Sequence, residues 1–222
     1  MNATILTCSS LTPFVRAAQA HENTHWDVME VNRDLHSEPA TMKKELARLI
    51  ESLPPEIDTV LVAMGFCGGA WDHVSFERHV VIPRFDDCVS LLLNTDDTYH
   101  ANLKEPGHLY LYENDPSQFS ALGLMRSDAA SSPEYAGLSQ EDLFHFWFDN
   151  YRTVDIIDTG LNDCYSEDYV MAAQNEADKI GAALDYATGS NHTLEKLVSG
   201  RWDDQFLVAE PGTLIRHGNF FE

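Results

Sequence analysis

Four residues of this chain, Cys8, His36, Cys67 and Cys88, have side chains that could do chemistry together. Thiolates and a neutral imidazole are soft donors that suit zinc, with cobalt, copper(I) or iron as less common occupants. Three such ligands with one open position describe a catalytic zinc, and four bound ligands describe a closed structural one. The chain has no C-x-x-C pair and no local knuckle spacing, so their meeting depends on the elements that carry them. The competing reading makes each cysteine a small buried hydrophobe. In it, His36 either caps the helix opened by Pro39 or binds a neighbouring carbonyl.

The elements supply a common edge. Asp58-Thr-Val-Leu-Val-Ala-Met64 is the most apolar short run of the N-terminal half and is followed by Gly65-Phe66-Cys67-Gly68-Gly69. A run of that kind bounded by glycines reads as a buried strand with Cys67 emerging at its carboxyl end. Ala3 to Thr7 reads as a strand running into Cys8-Ser9-Ser10 and then a helix carrying Phe14, Val15 and Ala18. Trp26 to Val31 reads as a strand leading to His36, with Pro39 opening a helix to about Leu53. Trp71 to Glu77 is expected as a short helix, His79 to Pro83 as a strand, and Val89 to Leu93 as a helix. Asp86 and Asp87 read as a helix cap and a surface charge rather than as ligands or their supports. Cys88 then falls in the first turn, where a helix dipole would lower its pKa. Four successive strand-to-helix units predict an α/β fold, a mostly parallel sheet with helices on both faces in three layers, and its ligands bind at the carboxyl ends of the strands.

The second half continues the alternation. Strands are expected at His108 to Tyr112, Val154 to Asp158, Ala183 to Ala187 and Phe206 to Ala209, and helices at Asp142 to Tyr151, Glu167 to Ile180 and Thr193 to Val198. Ser117 to Ser139 is rich enough in Gly, Ser and Pro to be a surface excursion. The expectation is one domain over 1–222 with a possible lid at 114–151. The loop Asp158-Thr-Gly-Leu-Asn-Asp163-Cys164 also follows a strand, and Asp158 and Asp163 are candidates for an acid or base beside the metal. An Asx-rich turn is the reading set against that. His73, His79, His100 and His108 have no supporting spacing and read as structural.

Composition narrows the partners. Thirty-six acidic against fourteen basic residues give a formal net charge of -22, spread along 222 residues. That balance argues against nucleic acid and anionic membrane surfaces, which both need a basic patch, and reads mainly as solubility; the partner expected is a small-molecule substrate. No stretch approaches a membrane span, and Met1-Asn-Ala-Thr-Ile has neither the basic start nor the apolar core of a signal peptide, so a cytoplasmic location is expected. Four cysteines in such a setting read as free, metal-bound or catalytic rather than paired. Neither G-x-G-x-x-G nor a P-loop pattern occurs, and no internal repeat is visible.

In combination, Cys8 after the first strand, Leu35-His36 with Pro39, Gly65-Phe66-Cys67-Gly68, Ile82-Pro83 with Asp86-Asp87-Cys88, Asp158-Thr-Gly160 with Asp163, and Phe206-Leu-Val with Pro211-Gly212 resemble the uncharacterised family filed as domain of unknown function 1638. The resemblance covers nearly the whole chain. It implies that Cys8, His36, Cys67 and Cys88 form the site, and it implies company with corrinoid-dependent methyltransferase systems. The family's loop carries an aromatic residue where this chain has Leu161.

The expected function is therefore that of a zinc-binding α/β protein of one-carbon or methyl-transfer metabolism, activating a thiol or methyl-group substrate, with a corrinoid only as a cofactor borne by a partner. Two alternatives are a non-enzymatic metal-binding or metal-delivery protein with a closed Cys3His site, and a metal-free enzyme with Cys67 as nucleophile and His36 as base.

Overall fold

A computed structural model describes the backbone of all 222 residues and the side chains of all but residues 128, 131 and 134. In chain order the strands are β1 (Ala3–Cys8), β2 (Asp27–Val31), β3 (Thr59–Ala63), β4 (His79–Pro83), β5 (His108–Leu111), β6 (Thr153–Asp158), β7 (Ala183–Thr188) and β8 (Phe206–Ala209). The helices are α1 (Thr12–Glu22), α2 (Pro39–Glu51), α3 (Cys88–Leu93), α4 (Ala121–Ser131), α5 (Gln140–Phe148), α6 (Glu167–Ile180), α7 (His192–Ser199) and α8 (Gly218–Phe221). The fold is α/β, with two sheets, and the residues group into two compact units: Met1–Leu103 with Ser190–Glu222, and Lys104–Gly189. No helix among the described residues is long and apolar enough to cross a membrane.

The first unit holds a five-stranded sheet in the order β2-β1-β3-β4-β8. β1 and β3 are buried along their whole length, as the unbroken apolar runs of central parallel strands require. β2, at the edge, is buried only at Val31. β1 pairs in parallel with both β2 and β3, and β3 in parallel with β4. β8 runs antiparallel to β4, which the alternation of elements did not suggest. The chain leaves β1 through α1 to reach β2 on one side, then returns through α2 to reach β3 on the other. Right-handed crossovers in those two directions place α1 and α2 on opposite faces, and the loops after β1 and β3 part from one another. α7 lies beside α1 and packs over β3 and β4.

Trp71 to Glu77 is not a helix. The Trp71 ring is fully buried with its Nε1 donating to the Gly65 carbonyl at 3.1 Å, and Val74 forms an isolated bridge with Ile215. Burying that ring at the start of the segment fixes the chain in turns that a helical repeat would break.

The second unit is built on the parallel sheet β5-β6-β7. Leu111, Val154 and Ile156 face a core completed by Phe119 and Met125, Phe148, and Ala173, Ala177 and Ile180 of α6. The span 114–151 lies in this unit and supplies α4 and α5, whose Met125 and Phe148 belong to its core rather than to a surface excursion alone.

Candidate metal centre

The four strand ends of the first unit bring their polar residues to one edge. Cys8 is the last residue of β1, and its backbone is paired with Val31 of β2. After β2, the side chain of Asn32 accepts the Asp34 amide at 3.0 Å and starts a 3-10 turn, Arg33–Ser37. The Arg33 amide donates to Ser9 Oγ at 3.1 Å and ties this turn to the loop after β1. Within the turn His36 Nδ1 lies 2.8 Å from the Arg33 carbonyl. A carbonyl only accepts, so Nδ1 donates there and Nε2 is the ring nitrogen left for a metal, the arrangement common among metal-binding histidines.

Cys67 is placed by contact between the loops after β3 and β4. The Phe66 amide donates to the Phe85 carbonyl and the Cys67 amide to the Asp86 carbonyl, both at 2.8 Å. The loops approach so closely that a Cβ on Gly65 would stand 2.7 Å from the Asp87 Cα, which is why this position is glycine. Cys67 itself adopts φ +47, a left-handed conformation that costs a non-glycine residue about 1–2 kcal/mol. The surrounding hydrogen bonds hold it there, and strain of this kind concentrates at functional sites.

Asp87 Oδ1 accepts the Ser90 amide at 2.9 Å and caps α3, as read from the sequence, with Cys88 as the first helical residue. The expected lowering of the Cys88 pKa by the helix dipole does not occur. Its thiol is raised well above the ordinary value by its hydrogen bond with Cys67, by burial and by the Asp87 charge, against an opposing hydrogen bond from Cys8. The Cys8 thiol is likewise pushed far up, first by its hydrogen bond with Cys88 and then by burial, while His36 and Ser10 oppose the shift. In this enclosed space a short helix is outweighed by desolvation and by neighbouring sulfurs.

The set is therefore compact. A ring nitrogen of His36 and the Sγ atoms of Cys67 and Cys88 lie within 4.8 Å of one another. Cys8 adjoins Cys88, and its Sγ also lies 3.1 Å from Ser10 Oγ. Two thiolates on one zinc stand roughly 3.8 Å apart at Zn–S distances of about 2.3 Å, so a modest contraction would seat an ion. Buried thiols this close cannot ionise together unless a cation compensates them, and the donor set fits a soft divalent one.

The Phe66 ring, next to Cys67, packs against Phe220 at 4.8 Å and Phe221 at 5.3 Å, and against the His217 ring at 5.4 Å. Arg84 fixes that segment by donating to the carbonyls of Asn219, Asp204 and Glu222 at 2.8, 3.0 and 2.6 Å. Sequence reasoning missed both, because a contact between residues so far apart in the chain leaves no local signature.

Asp158, Asp163 and Cys164 belong to the second unit. Asp158 accepts the Gly160 amide at 2.9 Å and the Tyr165 hydroxyl at 2.6 Å, and the Asp163 carbonyl accepts the Ser166 amide at 3.1 Å. Asp158 thus closes an Asx-type turn. Of the histidines read as structural, His73, His79 and His108 place a ring nitrogen against the carboxylates of Asp72, Glu210 and Asp155. A cleft of about 390 Å³ beside Lys196 is lined by charged groups. Its lysine is already held by Asp97, Asp203 and Gln205.

No curated protein and no solved structure matches the chain. Residues 31–198, a stretch that includes His36, Cys67 and Cys88, match the family described as protein of unknown function (DUF1638), and the chain belongs to that family.

Proposed function

We propose that Cys8, His36, Cys67 and Cys88 hold a zinc ion, and that the protein uses it to keep a small thiol substrate ionised and nucleophilic in one-carbon metabolism. The observation that carries the reading is the convergence of three soft donors within 4.8 Å, with a fourth alongside, at the point where the sheet order reverses. Each donor comes from a different strand end, so the arrangement depends on the whole sheet and not on one local loop.

The reaction assigned to the site is transfer of a methyl group to the bound thiolate. The sulfur forms the new S–C bond, and both electrons of the broken bond stay with the donor, so no oxidant or reductant is needed. The donor proposed is a methylated corrinoid carried by a partner protein, an assignment that rests on the family resemblance alone. His36, with Nδ1 committed to the Arg33 carbonyl, offers Nε2 to the ion and does not act as a base in this scheme.

Metal analysis of protein purified without oxygen tests the reading. Stoichiometric zinc in the wild type and its loss in Cys67→Ser are expected. Protein without metal, or a Cys67→Ser variant with the same metal content as the wild type, would overturn it.

A further inference from the structure

The four donors are not equivalent. His36, Cys67 and Cys88 form a mutually close trio, and the Cys8 sulfur is not part of it but touches Cys88. It has a second partner of its own, Ser10 Oγ at 3.1 Å. The trio is also locked differently. Cys67 is fixed by a strained backbone and the hydrogen bond from its amide to Asp86, Cys88 by its capped helix, and His36 by its ring hydrogen bond to Arg33. The Cys8 backbone is the last residue of β1 and is paired with Val31 of β2. From one position its sulfur touches both Cys88 and Ser10 Oγ, and rotation about the Cα–Cβ bond is the freedom its side chain has to favour one over the other.

Resting on the zinc reading above, we infer that Cys8 is the exchangeable ligand of the centre: it closes the site at rest and gives up its position to the thiol of the substrate. The exchange replaces one thiolate by another. The incoming R–SH forms the metal–sulfur bond, the bond from the metal to Cys8 breaks, and the proton of the incoming thiol passes to the Cys8 sulfur, which turns to Ser10. Charge at the metal is the same before and after, and nothing is oxidised. A thiol is the substrate class this permits, because a water or an alcohol would have to displace a thiolate from a soft centre and leave it with a harder ligand. The arrangement reconciles the two forms of zinc site, four protein ligands without substrate and three with it. Ser10 is a positioning residue here, since it receives the displaced sulfur and does not touch the substrate.

Zinc-edge X-ray absorption on the zinc-loaded full chain, with 2-hydroxyethaneselenol as the probe, tests this directly. Selenium scatters differently from sulfur, so entry of the probe and departure of a cysteine are counted separately. The wild type is expected to gain a zinc–selenium path while its sulfur count falls from about three to about two. Cys8→Ala is expected to keep its zinc, show about two sulfurs with and without the probe, and bind the selenol at least 10-fold more tightly because no internal ligand competes. Ser10→Ala should weaken probe binding in the wild-type background and leave it unchanged when combined with Cys8→Ala. A selenium path with the sulfur count still at about three, failure of the selenol to bind, or loss of zinc from Cys8→Ala as complete as from Cys88→Ala would each overturn the inference while leaving the zinc reading intact. A wild type that takes up no zinc would sink both.

Discussion

The carboxyl edges of the two sheets use similar residues to different ends. At the first, Cys8, His36, Cys67 and Cys88 follow four strands, and the polar atoms of the last three meet, with Cys8 touching Cys88. At the second, the loop after β6 carries Asp158, Asp163 and Cys164, and Asp158 spends its oxygens on the Gly160 amide and the Tyr165 hydroxyl of its own turn. Strand order accounts for the contrast. In β2-β1-β3-β4 the direction of winding reverses between β1 and β3, so neighbouring loops diverge and leave room for side chains from several strands. In β5-β6-β7 the order is sequential and contains no reversal. Cysteine and aspartate after a strand thus make a candidate site only where topology opens a crevice for them.

The largest effect should separate the two edges by metal. Cys88→Ser is expected to lower zinc affinity by at least about 100-fold, since it removes a ligand rather than its support. Cys164→Ser, which alters a buried thiol of the second edge, should leave zinc content unchanged and lower stability by about 1 kcal/mol. Metal content by mass spectrometry and urea unfolding of both variants measure the difference. Zinc loss from Cys164→Ser would end the distinction between the edges.

Backbone substitutions sharpen it further. Gly65→Ala places a methyl group against the Asp87 backbone and should cost about 3 kcal/mol together with the zinc site. Gly160→Ala meets no atom within 4 Å and pays only for its φ of +73, about 1 kcal/mol, with zinc retained. Denaturant midpoints compared with and without zinc would show coupling to the metal in the first case only.

Acid should dismantle the edges in sequence. On the zinc reading proposed above, the metal should be released first as pH falls, because protons compete for the thiolates. The Asp158 carboxyl is held below its usual range by the Tyr165 hydroxyl and then the Gly160 amide. A depressed folded value means that this contribution is complete above the unfolded pKa of about 3.9 and is lost as pH falls below it. Stability against pH should therefore become flatter below about pH 4 in Asp158→Asn and keep its wild-type form above it. The smallest change is expected from Tyr165→Phe, because the hydroxyl it removes lies on an exposed side chain. A larger loss would mean that the second edge is more than a turn.

Much of the first edge is legible in the residues themselves. An apolar run bounded by glycine identifies β3 as a buried strand, a shorter apolar run marks β1, and proline and aspartate mark the starts of α2 and α3, because burial and capping act over a few neighbouring residues. The helix α6 falls at the expected residues, Glu167 to Ile180, and the structure shows it capped by Ser166 and ended by Gly181 in the left-handed conformation. Trp71 to Glu77 and the antiparallel β8 escaped for the opposite reason: their conformations answer to Gly65, Ile215 and β4, partners far away in the chain.

The sequence by itself determined which residues could act as soft ligands and that each would stand at a strand end, since both depend on side-chain chemistry and local hydrophobic pattern. Only the tertiary structure decided that His36, Cys67 and Cys88 draw within 4.8 Å while Cys8 stands beside them with Ser10, and that the Cys88 thiol is raised rather than lowered. Distances between loops and the dielectric around a sulfur are set by how strands order and pack, and no local pattern encodes either.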